Sequence, residues 1–204
     1  MTNTYFETDG FDLRRYGIVL RIRQVDGQCE MTMKTAGQVI GGLHQHPEFN
    51  VPLTGPTLDL ARLPAQAWPP ELDPAALQSR LKPLFTTDFA REKWRVRQGK
   101  SEIELALDRG EVSAGALHEP ICELEIELLS GKARDLCAFA STLSDAGGLR
   151  LGSLSKAERG YHLQQGNPPR AIRTLPLINP SAQGDGGGRN ERGAAPGAGS
   201  LAIS

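Results

Sequence analysis

Side chains able to hold phosphate or a hard metal ion recur at every second position in several stretches of this sequence. Arg21 and Arg23 are two apart, as are Thr32 and Lys34, and Arg91, Lys93, Arg95 and Arg97 form a longer run. Carboxylates follow the same spacing at Glu102 and Glu104, then Asp108, and again at Glu123, Glu125 and Glu127. Apolar residues fill most alternate positions: Leu20 and Ile22, Met31 and Met33, Trp94 and Val96, Ile103, Leu105 and Leu107, Leu124, Ile126 and Leu128. A period of two belongs to extended strands, whose successive side chains point to opposite faces. Each run therefore presents its charges on one face and its apolar residues on the other.

The signs are sorted by strand, whereas a solubilising surface usually mixes them. A charged, solvated face is the ordinary outcome for an amphipathic antiparallel sheet. Two arrangements suit the sorting. Cationic strands could lie beside acidic ones, with cross-strand ion pairs of about 0.2–1 kcal/mol each. Alternatively, the faces could line one cavity, with a polyanion on the cationic side and a metal on the acidic side. Arg forks take phosphate oxygens in two-pronged fashion, and Lys acts as a point charge. Mg²⁺ or Mn²⁺ needs oxygen ligands, which alternate Glu carboxylates would supply. Such a metal bridges phosphate oxygens and orients a water for in-line attack.

Other constellations carry less. His44, His46 and Glu48 alternate and could form a zinc set, although such histidines in a strand are more often incidental. Gly41-Gly42 lacks the Lys-Ser/Thr of a phosphate-binding loop and is expected to be a turn. There is no G-x-S-x-G, so a side-chain nucleophile has little support.

The elements that must position these residues are mostly strands. They are expected at 17–25, 28–35, 43–53, 88–97, 101–108, 111–117 and 121–129, separated by Asp26-Gly27, Gly99, Arg109-Gly110 and Ser130-Gly131. Pro47 suggests an edge or a bulge. Helices are expected at 132–146, with Leu136, Phe139, Ala140 and Leu143 on one stripe, and from the Asp73-Pro74 cap to about Leu81. A single helical turn is expected at 155–161. The fold class is mainly β (α+β): an antiparallel β-barrel, closed or nearly closed, with a few flanking helices.

The 204 residues carry a net charge of −1, so nothing in the bulk favours nucleic acid or an anionic membrane as a partner. Three cysteines without C-x-x-C spacing argue against a disulfide framework and fit a reducing cytoplasm. No stretch approaches the roughly 18 apolar residues of a membrane span, and no secretory leader is visible. Residues 1–166 are expected to fold as one domain. The Pro- and Gly-rich tail, 167–204, is expected to be disordered.

The motifs also occur in a specific order. Tyr5-Phe6-Glu7-Thr8, Leu13-Arg14, the 17–23 strand, Met31-Thr32-Met33-Lys34 and the 41–48 segment come first. The 87–94 strand, Ile103 to Asp108, Glu119 to Glu127, and Ser155-Lys156-Ala157-Glu158-Arg159-Gly160-Tyr161 follow. Over about residues 5–169 this series resembles the CYTH superfamily of triphosphate tunnel metalloenzymes. It is most similar to bacterial inorganic triphosphatases that carry a CHAD helical domain after the CYTH domain.

The resemblance implies an eight-stranded tunnel that hydrolyses inorganic triphosphate or related compounds with Mg²⁺ or Mn²⁺, water being the nucleophile. It implies substrate contacts from Arg21, Arg23, Lys34, Arg91 and Lys156, and metal ligation by Glu123 and Glu125. Glu48, Glu104 and Asp108 would be supporting lumen carboxylates, with Arg159 as a neighbour. Alternatives are a polyphosphate or nucleotide binder without turnover, an adenylate cyclase of the same superfamily, and a fragment that does not fold. The family's opening Glu-x-Glu-x-Lys strand and the CHAD domain are absent from this sequence, and His46 stands where Arg is expected. These departures lead to the expectation of a truncated or misannotated product, with a misplaced start and a frame change near Pro169, lacking its first strand and impaired in activity.

Overall fold

The structure is a computed structural model that describes residues 1–40, 43–45, 47–145, 152, 154–166 and 199–203. Chain order runs β1 (Thr2–Glu7), α1 (Asp12–Arg15), β2 (Val19–Val25), β3 (Gln28–Lys34), β4 (Gln38–Ile40), β5 (Leu43–Gln45) and β6 (Glu48–Leu53). Then come α2 (Pro74–Gln78), β7 (Lys82–Gln98), β8 (Ser101–Ala114), β9 (Leu117–Ser130), α3 (Ala133–Asp145), α4 (Lys156–Gln164) and β10 (Gly199–Ile203). Two 3₁₀ turns, Leu60–Arg62 and Ala65–Ala67, precede α2.

The strands form one antiparallel sheet in the order β4-β5-β10-β9-β8-β7-β1-β2-β3-β6. Among the described residues its two ends do not pair, so the expected closed barrel is here an open but curled sheet. The curl is visible in the electrostatics. The Glu127 carboxyl on β9 is pushed up by its own burial, by Glu104 and by Glu48 on β6. In a flat sheet those strands, six ladder steps apart, would be separated by about 29 Å at roughly 4.8 Å per step. Such a distance would leave no mutual influence between two solvated charges.

The convex side is apolar, as the alternation requires. Leu20, Ile22, Met31 and Met33 are buried, and most of this patch packs with Leu13, Leu60, Trp68 and Leu77. Ile103 and Ile126 pack under Leu136 and Ala140 of α3. On the concave side α4 lies against Tyr5, Phe85, Phe89, Val112 and Ile121 through Ala157, Tyr161 and Leu163. Gly160 makes this approach possible: a Cβ there would meet the Phe85 ring at 2.1 Å.

Several elements differ from expectation. Arg109-Gly110 does not end a strand; β8 runs straight through it. Gly110 lies opposite Phe89, where a Cβ would stand 2.0 Å from the Asp88 carbonyl oxygen, so the glycine permits close strand approach and not a turn. The single strand expected at 43–53 is two, with β5 pairing to β10 and β6 to β3. That separation removes the shared strand face proposed for His44 and Glu48, and His46 and Gly41-Gly42 lie outside the described residues. α4 extends well past a single turn. The Asp26-Gly27 hairpin is as expected, with φ of 49° and 78° at its two turn residues. The tail expected to be disordered lies outside the described residues, apart from Gly199–Ile203, which forms β10.

Candidate functional site

The concave face carries charge in two groups. The first is built by β7, β8 and β9, whose register sets Arg91, Asp108 and Glu123 in one row and Lys93, Ala106 and Glu125 in the next. The start of α4 projects into these rows. Its first turn is fixed by a capping box, in which the Glu158 amide donates to Ser155 Oγ at 3.2 Å and the Ser155 amide to Glu158 Oε2 at 2.7 Å. Lys156, the first helical residue, thereby enters the sheet's hollow.

Lys156 Nζ stands 2.5 Å from Glu123 Oε1, 2.6 Å from Asp108 Oδ2 and 2.8 Å from Glu125 Oε1. Arg91 donates through Nε and a terminal nitrogen to both Asp108 oxygens, each at 2.6 Å, and also to Glu125. Arg159, one turn after Lys156, donates to Glu119 at 2.8 Å, to Glu123 at 3.0 Å and to the Pro120 carbonyl. Lys156 and Arg91 also lie over the Phe89 ring, at 5.0 and 5.5 Å from its centroid.

The titration behaviour follows from this packing. Burial opposes the Glu125 charge, but Lys156 and then Arg91 outweigh it and hold that carboxyl at about 2. Burial likewise opposes the Lys156 ammonium, yet Glu125, Glu123 and Asp108 keep it protonated far above the usual lysine range. One oxygen each from Asp108, Glu123 and Glu125 falls within a 4.8 Å cluster.

The second group lies on β2, β3 and β6. Register places Lys34 opposite Glu48, and Lys34 Nζ is 3.0 Å from Glu48 Oε2. Arg21 is only 11% exposed at its side chain, and its ion pair to Glu48 is long, at 4.0 Å. Its Nε has no hydrogen-bond partner among the described residues. Arg23 forms no ion pair among the described residues; its Nε donates to Asn3 Oδ1 at 3.0 Å. Burial, then the charges of Arg21 and Arg91, pull the Arg23 pKa down. A guanidinium whose pKa falls in this way is partly buried near other positive charges and short of counter-anions.

The residues expected from sequence thus fall into two sets. Arg91, Asp108, Glu123, Glu125 and Lys156 meet in the acidic cluster, with Lys156 among the carboxylates. Arg21, Arg23, Lys34 and Glu48 lie in the cationic set. Glu104 sits apart from both, paired with Lys93 at 2.7 Å and opposite Glu127. Sequence alone missed Asn3 and Thr87, both fully buried on the concave face, and Glu7. The Glu7 carboxylate accepts from the amides of Thr8, Leu13 and Arg14 and from the Tyr161 hydroxyl, so it ties α4 to β1 and α1. Only burial alternates along this strand, with Asn3, Tyr5 and Glu7 buried, and both of its faces carry polar residues, so the sequence holds no alternation that marks it.

Residues 1–161 match the CYTH domain family. The inorganic triphosphatase of Haemophilus influenzae is 40% identical over 161 residues, 79% of this chain and 45% of that protein, so the chain spans less than half the length of that relative. A solved structure from Bacillus halodurans, described as a candidate adenylate cyclase, covers 78% of this chain and 80% of its own at 20% identity, with a TM-score of 0.42.

Proposed function

The chain belongs to the CYTH domain family, and on that footing we propose that it hydrolyses inorganic triphosphate with a divalent cation, water being the attacking group. The observation that carries this reading is the Arg21–Arg23 pair, half-buried cations of which, among the described residues, Arg21 has one long ion pair and Arg23 has none. A triphosphate supplies several charged oxygens, which suit Arg forks and the Lys34 point charge. The 40% identity to a triphosphatase supports the substrate class.

Asp108, Glu123 and Glu125 fit a divalent cation. Their oxygens are hard ligands, already gathered round a positive charge, that of Lys156. Glu123 and Glu125 would hold Mg²⁺ or Mn²⁺ with Asp108 beside them. When bound, the ion supplies charge neutralisation at the phosphate oxygens and lowers the pKa of a coordinated water. Arg21, Arg23 and Arg91 would bind and orient the triphosphate, and Lys156 would exchange carboxylate partners for phosphate oxygens. Glu48 and Glu104 would hold Lys34 and Lys93 in place. We further place this activity in a tunnel closed around the substrate and in the cytoplasm, consistent with the free Cys29, Cys122 and Cys137.

The test is phosphate release from inorganic triphosphate with Mg²⁺ or Mn²⁺, compared with the Glu123→Ala/Glu125→Ala pair. Release that the pair abolishes is expected; equal rates in the two proteins would refute the assignment. Lys156 filling the carboxylate cluster favours one second reading, a triphosphate binder without turnover. Binding in chelator together with no release in either metal would select it.

A further inference from the structure

Of the guanidiniums in the hollow, Arg91 and Arg159 are held by carboxylates, whereas Arg23 is held by a neutral amide. That amide belongs to Asn3, whose side chain is completely buried. Asn3 faces Arg23 on one side and Thr87 on the other through the register of β1 with β2 and β7. Its Oδ1 accepts from Arg23 Nε at 3.0 Å, and its Nδ2 donates to Thr87 Oγ1 at 3.0 Å. Arg has donors only, so the amide oxygen must face it, and Thr87 fixes that orientation by accepting the amide hydrogen. The bond uses Nε, and among the described residues the two terminal nitrogens of Arg23 have no hydrogen-bond partner.

We propose that Asn3 is the positioning residue for Arg23: it aims the guanidinium fork into the hollow while leaving its charge uncompensated for a phosphate oxygen pair. The inference rests on the triphosphate reading above. Neutrality is the essential property. A carboxylate in the same place would orient Arg23 equally well, but it would consume the positive charge that an incoming anion needs, as Asp108 does for Arg91.

Asn3→Asp is therefore the informative variant, because it keeps the side-chain shape and both hydrogen bonds once the Thr87 hydroxyl turns to donate. Triphosphate affinity is measured by calorimetry in chelator, and thermal melting is recorded beside it. Asn3→Asp is expected to weaken binding at least tenfold while melting no lower than the parent, since it gains an internal ion pair. A loss of affinity from general damage would instead come with a lower melting temperature, and that result overturns the proposal. Parent and variant binding equally well also overturns it, while leaving the triphosphate reading intact. No binding by the parent chain defeats both. In an Arg23→Gln background the Asn3→Asp effect is expected to shrink below twofold; a persisting tenfold loss shows that Asn3 does not act through Arg23.

Discussion

The two halves of the hollow solve opposite electrostatic problems. On β7, β8, β9 and α4, the cations Arg91, Lys156 and Arg159 meet four carboxylates, Asp108, Glu119, Glu123 and Glu125. On β2 and β3, Arg21 and Lys34 share Glu48, and Arg23 has no ion pair among the described residues. The first half is complete without a ligand and holds α4 in place. In the second, cations outnumber the carboxylates that pair with them among the described residues. The same residue types therefore do different work, and the difference lies in the ratio of charges, not in their kind.

Breaking the completed half should have the largest effect on stability. Asp108 is fully buried and takes both Arg91 and Lys156. Asp108→Ala therefore removes a buried partner from each, leaving Arg91 with Glu125 and Lys156 with Glu123 and Glu125, and is expected to cost about 3 kcal/mol in denaturant unfolding. If it costs no more than the same measurement on Arg21→Met, the two halves do not differ as described. Arg21→Met should lower stability by no more than about 0.5 kcal/mol, because it removes a cation with one distant partner. Its effect belongs to binding, with triphosphate affinity falling at least about tenfold, or about 1.4 kcal/mol.

A smaller effect comes from acid. The Glu125 carboxyl is held at about 2, below its ordinary 4.5, chiefly by Lys156 and Arg91 acting against burial. A depressed folded-state pKa stabilises fully above the unfolded value and loses that contribution as pH falls through the folded one. Melting temperature should therefore fall more steeply between about pH 4.5 and 2 in the parent than in Glu125→Gln. Parallel curves would show that Glu125 is not coupled to those cations. The smallest effect is expected at the hairpin end, where Arg97 and Glu102 are exposed and 3.3 Å apart. Arg97→Ala should change stability by under about 0.5 kcal/mol and leave triphosphate affinity unchanged; a loss of affinity would extend the cationic half along β7.

The charged faces were legible because strand geometry imposes period two, and Arg21, Arg23, Lys34, Glu123 and Glu125 each keep it. What stayed hidden depends on pairing. Lys156 reaches Glu123 across 33 residues, and no local pattern specifies that. Gly110 looks like a turn residue in sequence and is a strand-crossing contact in the fold. β1 went unnoticed because Thr2 and Thr4 are polar like Asn3 and Glu7, so its two faces differ in burial more than in polarity. Sheet closure was inferred from short connections, but it is decided by whether the terminal strands pair.

The division of the hollow is tested most directly by calorimetric titration of inorganic triphosphate in chelator against three proteins. These are the parent, Arg21→Met/Arg23→Met and Glu123→Gln/Glu125→Gln. The account predicts that the parent binds, that the arginine pair loses binding, and that the glutamate pair binds at least as tightly as the parent, having lost negative charge. Binding that survives in the arginine pair and disappears in the glutamate pair would contradict it.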